Sequence, residues 1–147
     1  MKITIFTDGG SRGNPGPAAI GAVLLDEKGN VVKEYSEKIG RATNNEAEYE
    51  AVIFALQKAK LLFGKKKAKE MEVELKTDSE FVAKQLNAEY KILDRRIEQL
   101  FLKVWNLCID FKEVKIKHVS RKNNIEADRL VNQALGSKKK SQRGLGI

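Results

Sequence analysis

The chain has 147 residues, 41% hydrophobic and 33% charged, with Lys+Arg 28 against Asp+Glu 20 for a formal net charge of +8. That length suits one globular domain with its own core, and the apolar content excludes a wholly disordered chain. No apolar run approaches the roughly 20 residues of a membrane span, and the single cysteine, Cys108, rules out disulfide scaffolds and thiolate metal clusters. The opening MKITIF lacks a secretory h-region, so a cytoplasmic, monomeric protein is expected, and the basic balance favours a polyanionic partner.

In chain order, Lys2 to Thr7 alternate as a strand and meet the Gly- and Pro-rich segment DGGSRGNPGP, which places a strand end at Asp8. Ala18 to Leu25 and Val31 to Ile39 read as two further strands around a turn at Gly29. From Asn45 to Phe63 the period becomes helical, with Ala51, Val52, Ala55, Leu56, Ala59, Leu62 and Phe63 on one face, Asn44 or Asn45 as N-cap and Gly64 at the C-terminus. KKKAKE reads as a solvated connection. Met71, Val73, Leu75 and Thr77 then mark a fourth strand that ends at Asp78, which is also placed to cap the next helix, Ser79 to Ala88. A longer helix from Asp94 to Asp110 buries Ile97, Leu100, Phe101, Val104 and Cys108, with Trp105 also expected in the core. Val114, Ile116 and His118 form a fifth strand face, SRKNN a loop, and Ile125 to Leu135 a last helix opened by Asn123 or Asn124. Residues 1–135 thus form one domain, and 136–147 a basic tail.

The order βββαβααβα implies an α/β fold around a five-stranded mixed sheet with helices on both faces, strands one, four and five being parallel and joined by right-handed crossovers. Ligands of such sheets gather at the carboxyl ends of the parallel strands, where Asp8 and Asp78 lie. Glu48 sits on the first turn of the first helix and shares the face of Val52, Ala55 and Ala59; Asp128 is on the first turn of the last helix. A cluster of carboxylates must protonate or hold a cation, and oxygen donors without Cys or His partners favour Mg²⁺ or Mn²⁺.

TDGGSRGNPGPAAIG, TNNEAEY, TDSEFV and HVSRKNNIEADRL follow one another in the order and rough spacing of the ribonuclease H type 1 family, which the chain resembles across about residues 1–135. The resemblance implies the ribonuclease H-like fold and metal-dependent endonucleolytic hydrolysis of the RNA strand of RNA/DNA hybrids, leaving 5′-phosphate and 3′-hydroxyl ends. It assigns the catalytic, metal-binding carboxylates to Asp8, Glu48, Asp78 and Asp128; the helical-face argument likewise selects Glu48 over Glu46. Two ions are expected in the substrate complex, Asp8 bridging them, Glu48 and Asp78 completing one site and Asp128 the other. The resemblance further places Asn14, Asn44 and Asn45 near the RNA 2′-hydroxyls, flanked by Ser11 and Glu80, with Thr43 near a DNA phosphate. Glu80 departs from the family, where an amide is common.

The segment NAEYKILD is too short for the Lys-rich insertion that many bacterial members carry, so hybrid affinity is expected from Lys65, Lys66, Lys67, Lys91, Arg95, Arg96 and the tail. The loop histidine of many members has no counterpart in SRKNN. His118 belongs to the fifth strand, and Arg121 is the loop residue able to reach a scissile phosphate, as a permanent cation rather than a proton shuttle. The competing readings are a non-catalytic hybrid-binding module and a DNA-cutting nuclease or integrase of the same fold.

Overall fold

The computed structural model describes residues 1–136, so the expected basic tail lies outside the described residues from position 137 onward. Strands β1 (Lys2–Ser11), β2 (Gly16–Leu25) and β3 (Val31–Ala42) precede α1 (Asn44–Phe63) and the single-turn α2 (Lys65–Ala68). Then come β4 (Glu72–Thr77), α3 (Glu80–Leu86), α4 (Arg95–Ile109), β5 (Glu113–His118), a 3₁₀ turn at Arg121–Asn123 and α5 (Ile125–Leu135).

The sheet order is β3-β2-β1-β4-β5. β1 pairs antiparallel with β2 and parallel with β4, which pairs parallel with β5. The fold is therefore the mixed five-stranded arrangement expected. Register sets the site: Thr7 is opposite Thr77, the last pair of the parallel ladder, so Asp8, still paired with Gly21 of β2, and Asp78, just past the end of β4, lie at the same level.

Side-chain alternation assigns the helices to the two faces. Ile3 and Ile5 join Ala22, Leu24, Val73 and Leu75 in the main core beneath α1 and α4. Gly9 is in phase with Ile5, and a Cβ there would collide with the Ala47 carbonyl of α1. Gly21, opposite Asp8, belongs to the other face; a Cβ there would collide with the Ala127 carbonyl of α5. Two glycines thus bring α1 and α5 onto opposite faces of the sheet centre.

Several local expectations are revised. β1 continues past Asp8 to Ser11, because Gly9, Gly10 and Ser11 pair with Ile20, Ala19 and Ala18. The N-cap of α1 is Thr43, not an asparagine: Thr43 Oγ1 accepts from Glu46 N at 3.1 Å and Glu46 Oε1 accepts from Thr43 N at 2.9 Å, a reciprocal capping box. Ser79, not Asp78, caps α3, its Oγ accepting from Val82 N at 3.2 Å. The KKKAKE run makes one helical turn because Ala68 is fully buried in the main core.

In α4, Ile97, Leu100 and Val104 are buried as expected, whereas Trp105 is 57% exposed and stacks on the partly buried Phe101. Cys108 is half-buried, and burial pushes its thiol up to about 11, which keeps it protonated and unreactive. Between α3 and α4, residues 87–94 contain no helix. No helix among the described residues is long and apolar enough to cross a membrane.

Candidate active site

At the carboxyl ends of β1 and β4 a cleft of about 410 Å³ opens between the N-termini of α1 and α5. Asp8, Ser11, Asn44, Asn45, Glu48, Asp78, Arg121 and Asp128 all line it. Side-chain oxygens of Asp8, Glu48 and Asp78 lie within 4.8 Å of one another. Asp8 comes from the buried centre of the sheet, Asp78 from the neighbouring parallel strand end, and Glu48 from the first turns of α1. Gly9 N donates to Glu48 Oε1 at 3.0 Å, which aims that carboxylate at the strand end. Asp128 is exposed on the first turn of α5 and stands outside this triad, yet its carboxylate still interacts with that of Asp8.

The charge of this group is uncompensated. Burial first, then the charges of Asp78 and Asp128, pushes Asp8 up to about 8 from an ordinary 3.8, against the opposing pull of the Gly9 amide. Burial, then Asp8 and Asp78, holds Glu48 well above the usual carboxylate range. Among the described residues no Lys or Arg forms an ion pair with any of the four carboxylates. Crowded hard oxygen donors without a cationic side chain fit a divalent cation, whose charge would return them to the ionised state.

The residues expected at the substrate separate into two groups. Ser11, Asn44 and Asn45 line the cleft, and the Ser11 hydroxyl is buried without a protein partner. Asn44 Oδ1 accepts from Ser11 N at 3.0 Å, and Asn14 Oδ1 accepts from Asn44 N at 2.9 Å, so these residues clamp the β1–β2 loop onto the start of α1. Asn14 and Thr43 are not among the lining residues; Asn14 ties the loop and Thr43 caps the helix. Glu80 is absent from the wall and is paired with Lys84 at 3.0 Å. Glu46 is taken by its capping box and by Arg96 at 3.3 Å, which leaves Glu48 as the glutamate of the cleft.

His118 lies in β5 opposite Thr77, as expected, and is exposed. Arg121 reaches the cleft wall from the 3₁₀ turn. Sequence reasoning missed Arg12 and Asn132, which also line the cleft, and the role of Asn124. Asn124 reads as a cap but makes no side-chain capping bond; it is buried, and its Nδ2 donates to Thr7 O at 2.9 Å and to Asp78 Oδ2 at 3.3 Å.

This sheet order, with carboxylates gathered at the ends of its parallel strands, defines the ribonuclease H-like class of α/β domains. The family model described as Reverse transcriptase-like matches residues 6–134. Ribonuclease HI of Halobacterium salinarum is 42% identical over 134 residues, covering 91% of this chain and 64% of that protein. A bifunctional protein of Mycobacterium tuberculosis is 38% identical over 136 residues, 92% of this chain but 36% of its own length. The crystal structure of LC11-RNase H1 in complex with an RNA/DNA hybrid superimposes with a TM-score of 0.86 at 44% identity, covering 91% of this chain and 96% of that one. The chain belongs to the ribonuclease H type 1 family, and it spans less than two thirds of the length of these two curated relatives.

Proposed function

We propose that the protein hydrolyses the RNA strand of RNA/DNA hybrids endonucleolytically with bound divalent cations. The observation that carries this reading is the convergence of Asp8, Glu48 and Asp78 within 4.8 Å, uncompensated and beside the Asn44 and Asn45 amides. Similarity to LC11-RNase H1, whose structure holds such a hybrid, supports the substrate class.

Bound divalent cations supply positive charge at the phosphoryl oxygens and make water a stronger nucleophile. In this reading Asp8, which faces both Asp78 and Asp128, would be the carboxylate common to two Mg²⁺ ions, with Mn²⁺ as a substitute. Glu48 and Asp78 would complete one site and Asp128 the other. Water attacks phosphorus, the bond to the 3′-oxygen breaks, and that oxygen leaves with a proton, giving 5′-phosphate and 3′-hydroxyl ends. Arg121 offers a permanent positive charge to the phosphate. The amides of Asn44 and Asn45 and the unpaired Ser11 hydroxyl are suited to the 2′-hydroxyl, which both donates and accepts. Asn14 and Thr43 act through the loop and the cap they hold. Glu80, tied to Lys84, is left out of the contact set.

The protein works as a cytoplasmic monomer and grips the DNA strand through dispersed lysines and arginines, with Lys138, Lys139, Lys140 and Arg143 of the 136–147 tail adding charge. The test is to incubate strand-labelled RNA/DNA, DNA/DNA and RNA/RNA duplexes with Mg²⁺, Mn²⁺ or chelator. Cleavage of the RNA strand of the hybrid, lost in chelator, is the expected result. Hybrid binding without cleavage would favour a binding module, and cleavage of DNA/DNA a DNA nuclease.

A further inference from the structure

The residue opening α5 is an asparagine, a type that ordinarily satisfies the free amides of a helix N-terminus. Asn124 does not do so: it occupies the N-cap position of α5 with no side-chain capping bond. Its side chain turns into the protein, only 1% exposed, and crosses to two parallel strands, β1 at Thr7 and the carboxyl end of β4. Nδ2 donates to the Thr7 carbonyl at 2.9 Å, one residue before Asp8, and to Asp78 Oδ2 at 3.3 Å. Its own carbonyl accepts from Asp128 N at 3.2 Å. One residue therefore touches the backbone next to Asp8, the carboxylate of Asp78 and the amide of Asp128.

We propose that Asn124 is a positioning residue for the metal-binding carboxylates, fixing the Asp78 side chain and locking the first turn of α5, with Asp128, to β1 at Thr7. The inference rests on the hydrolase reading for its catalytic consequence but on geometry for its effect on metal binding. Three arguments support it. An uncharged N–H donor is the group a crowded acidic cleft needs here, because it orients a carboxylate without neutralising the charge that attracts the cation. Burial makes the orientation sharp, since amide rotation is confined by the surrounding packing. A simple helix cap, finally, would point its oxygen at the amides of α5, whereas Oδ1 of Asn124 is buried with no protein partner and the donor end is the one engaged. Partners that orient metal ligands from behind typically contribute about 10–100-fold to metal affinity or activity when removed.

The test uses the full chain with Asn124→Ala and Asn124→Ser. Serine caps helices about as well as asparagine, is neutral and fits the space, yet is too short to reach both Thr7 O and Asp78 Oδ2. Four quantities are read: the thermal midpoint from a circular-dichroism melt and, at a temperature where the variant is folded, the Mn²⁺ dissociation constant by calorimetry without nucleic acid and kcat and KM on the hybrid across a Mg²⁺ titration. Both variants are expected to weaken Mn²⁺ binding by about 10–100-fold, to move the Mg²⁺ midpoint of cleavage upward, and to leave KM for the hybrid within about threefold. A serine variant that restores parental Mn²⁺ affinity, or an alanine variant that loses thermal stability with unchanged Mn²⁺ affinity, would reduce Asn124 to a structural cap and overturn the proposal. If one variant fails to fold the other decides; failure of both would place the role of Asn124 in stability and overturn the proposal equally. Should the parent protein cut no hybrid, the hydrolase reading falls, while the Mn²⁺ calorimetry still decides the role of Asn124.

Discussion

Gly9 N donates to Glu48 Oε1 at 3.0 Å across a contact so close that no side chain fits at position 9. The same absence of a Cβ lets β1 lie against the first turn of α1 and aims the glutamate at Asp8. Gly9→Ala is therefore expected to destabilise the protein by about 1–3 kcal/mol, as overpacking against rigid backbone does, and to lower turnover at saturating Mg²⁺ at least tenfold. Urea unfolding and steady-state cleavage measure the two effects; an alanine variant with parental stability would show that α1 can retreat without cost.

Glu46 and Glu48 are neighbours in sequence with separate tasks. Glu46→Ala removes half the capping box and the Arg96 pair, so it should cost about 0.5–2 kcal/mol of stability while preserving most cleavage. Glu48→Gln should do the reverse, retaining an acceptor for Gly9 N but losing the ligand charge. Thermal melts and turnover on the two variants check the division.

Metal-free stability should depend on pH through Asp8. The unfolded chain releases this proton near 3.8 and the folded chain near 8, so between these values the folded state holds the extra proton. Stability is then fully present below the lower value, falls as pH rises from about 4 to about 8, and levels above it. Glu48, raised for the same reasons, acts in the same direction. Urea midpoints in chelator across this range should slope downward and flatten in Asp8→Asn; equal slopes in the two proteins would contradict the assignment.

Arg121 lines the cleft, and His118 is exposed on β5 outside that wall. Arg121→Ala is expected to lower kcat more than His118→Ala, both being folded by circular dichroism. A histidine variant that loses most activity without loss of stability would show that His118 works at the phosphate.

Periodicity and strand ends sufficed to bring Asp8, Asp78 and Glu48 together on paper, since each stands where an apolar pattern meets a polar position. Cap identities were beyond such reasoning. Asn44 looks like the cap of α1, but its side chain is spent on Ser11 N, a partner 33 positions away in the chain, and Thr43 takes the task. Asn124 looks like the cap of α5, but its partners belong to β1 and β4. Trp105 falls near the apolar stripe of α4 and still emerges exposed, because Ile97, Leu100 and Val104 already fill the contact with the core. In each case the outcome depends on which neighbour the fold delivers, which local spacing does not contain.

If the carboxylate cleft hydrolyses RNA by holding divalent cations, Asp8→Asn, which removes a ligand charge while keeping volume, should abolish cleavage. Cleavage of a labelled RNA/DNA hybrid is measured for parent and variant across a full Mg²⁺ titration, with hybrid binding followed in parallel in chelator. Cleavage should fall to background at every Mg²⁺ concentration, with hybrid binding in chelator retained, because metal-free Asp8 already holds its proton up to about pH 8. Near-parental cleavage by Asp8→Asn at any point of the titration would contradict hydrolysis by cations held in this cleft.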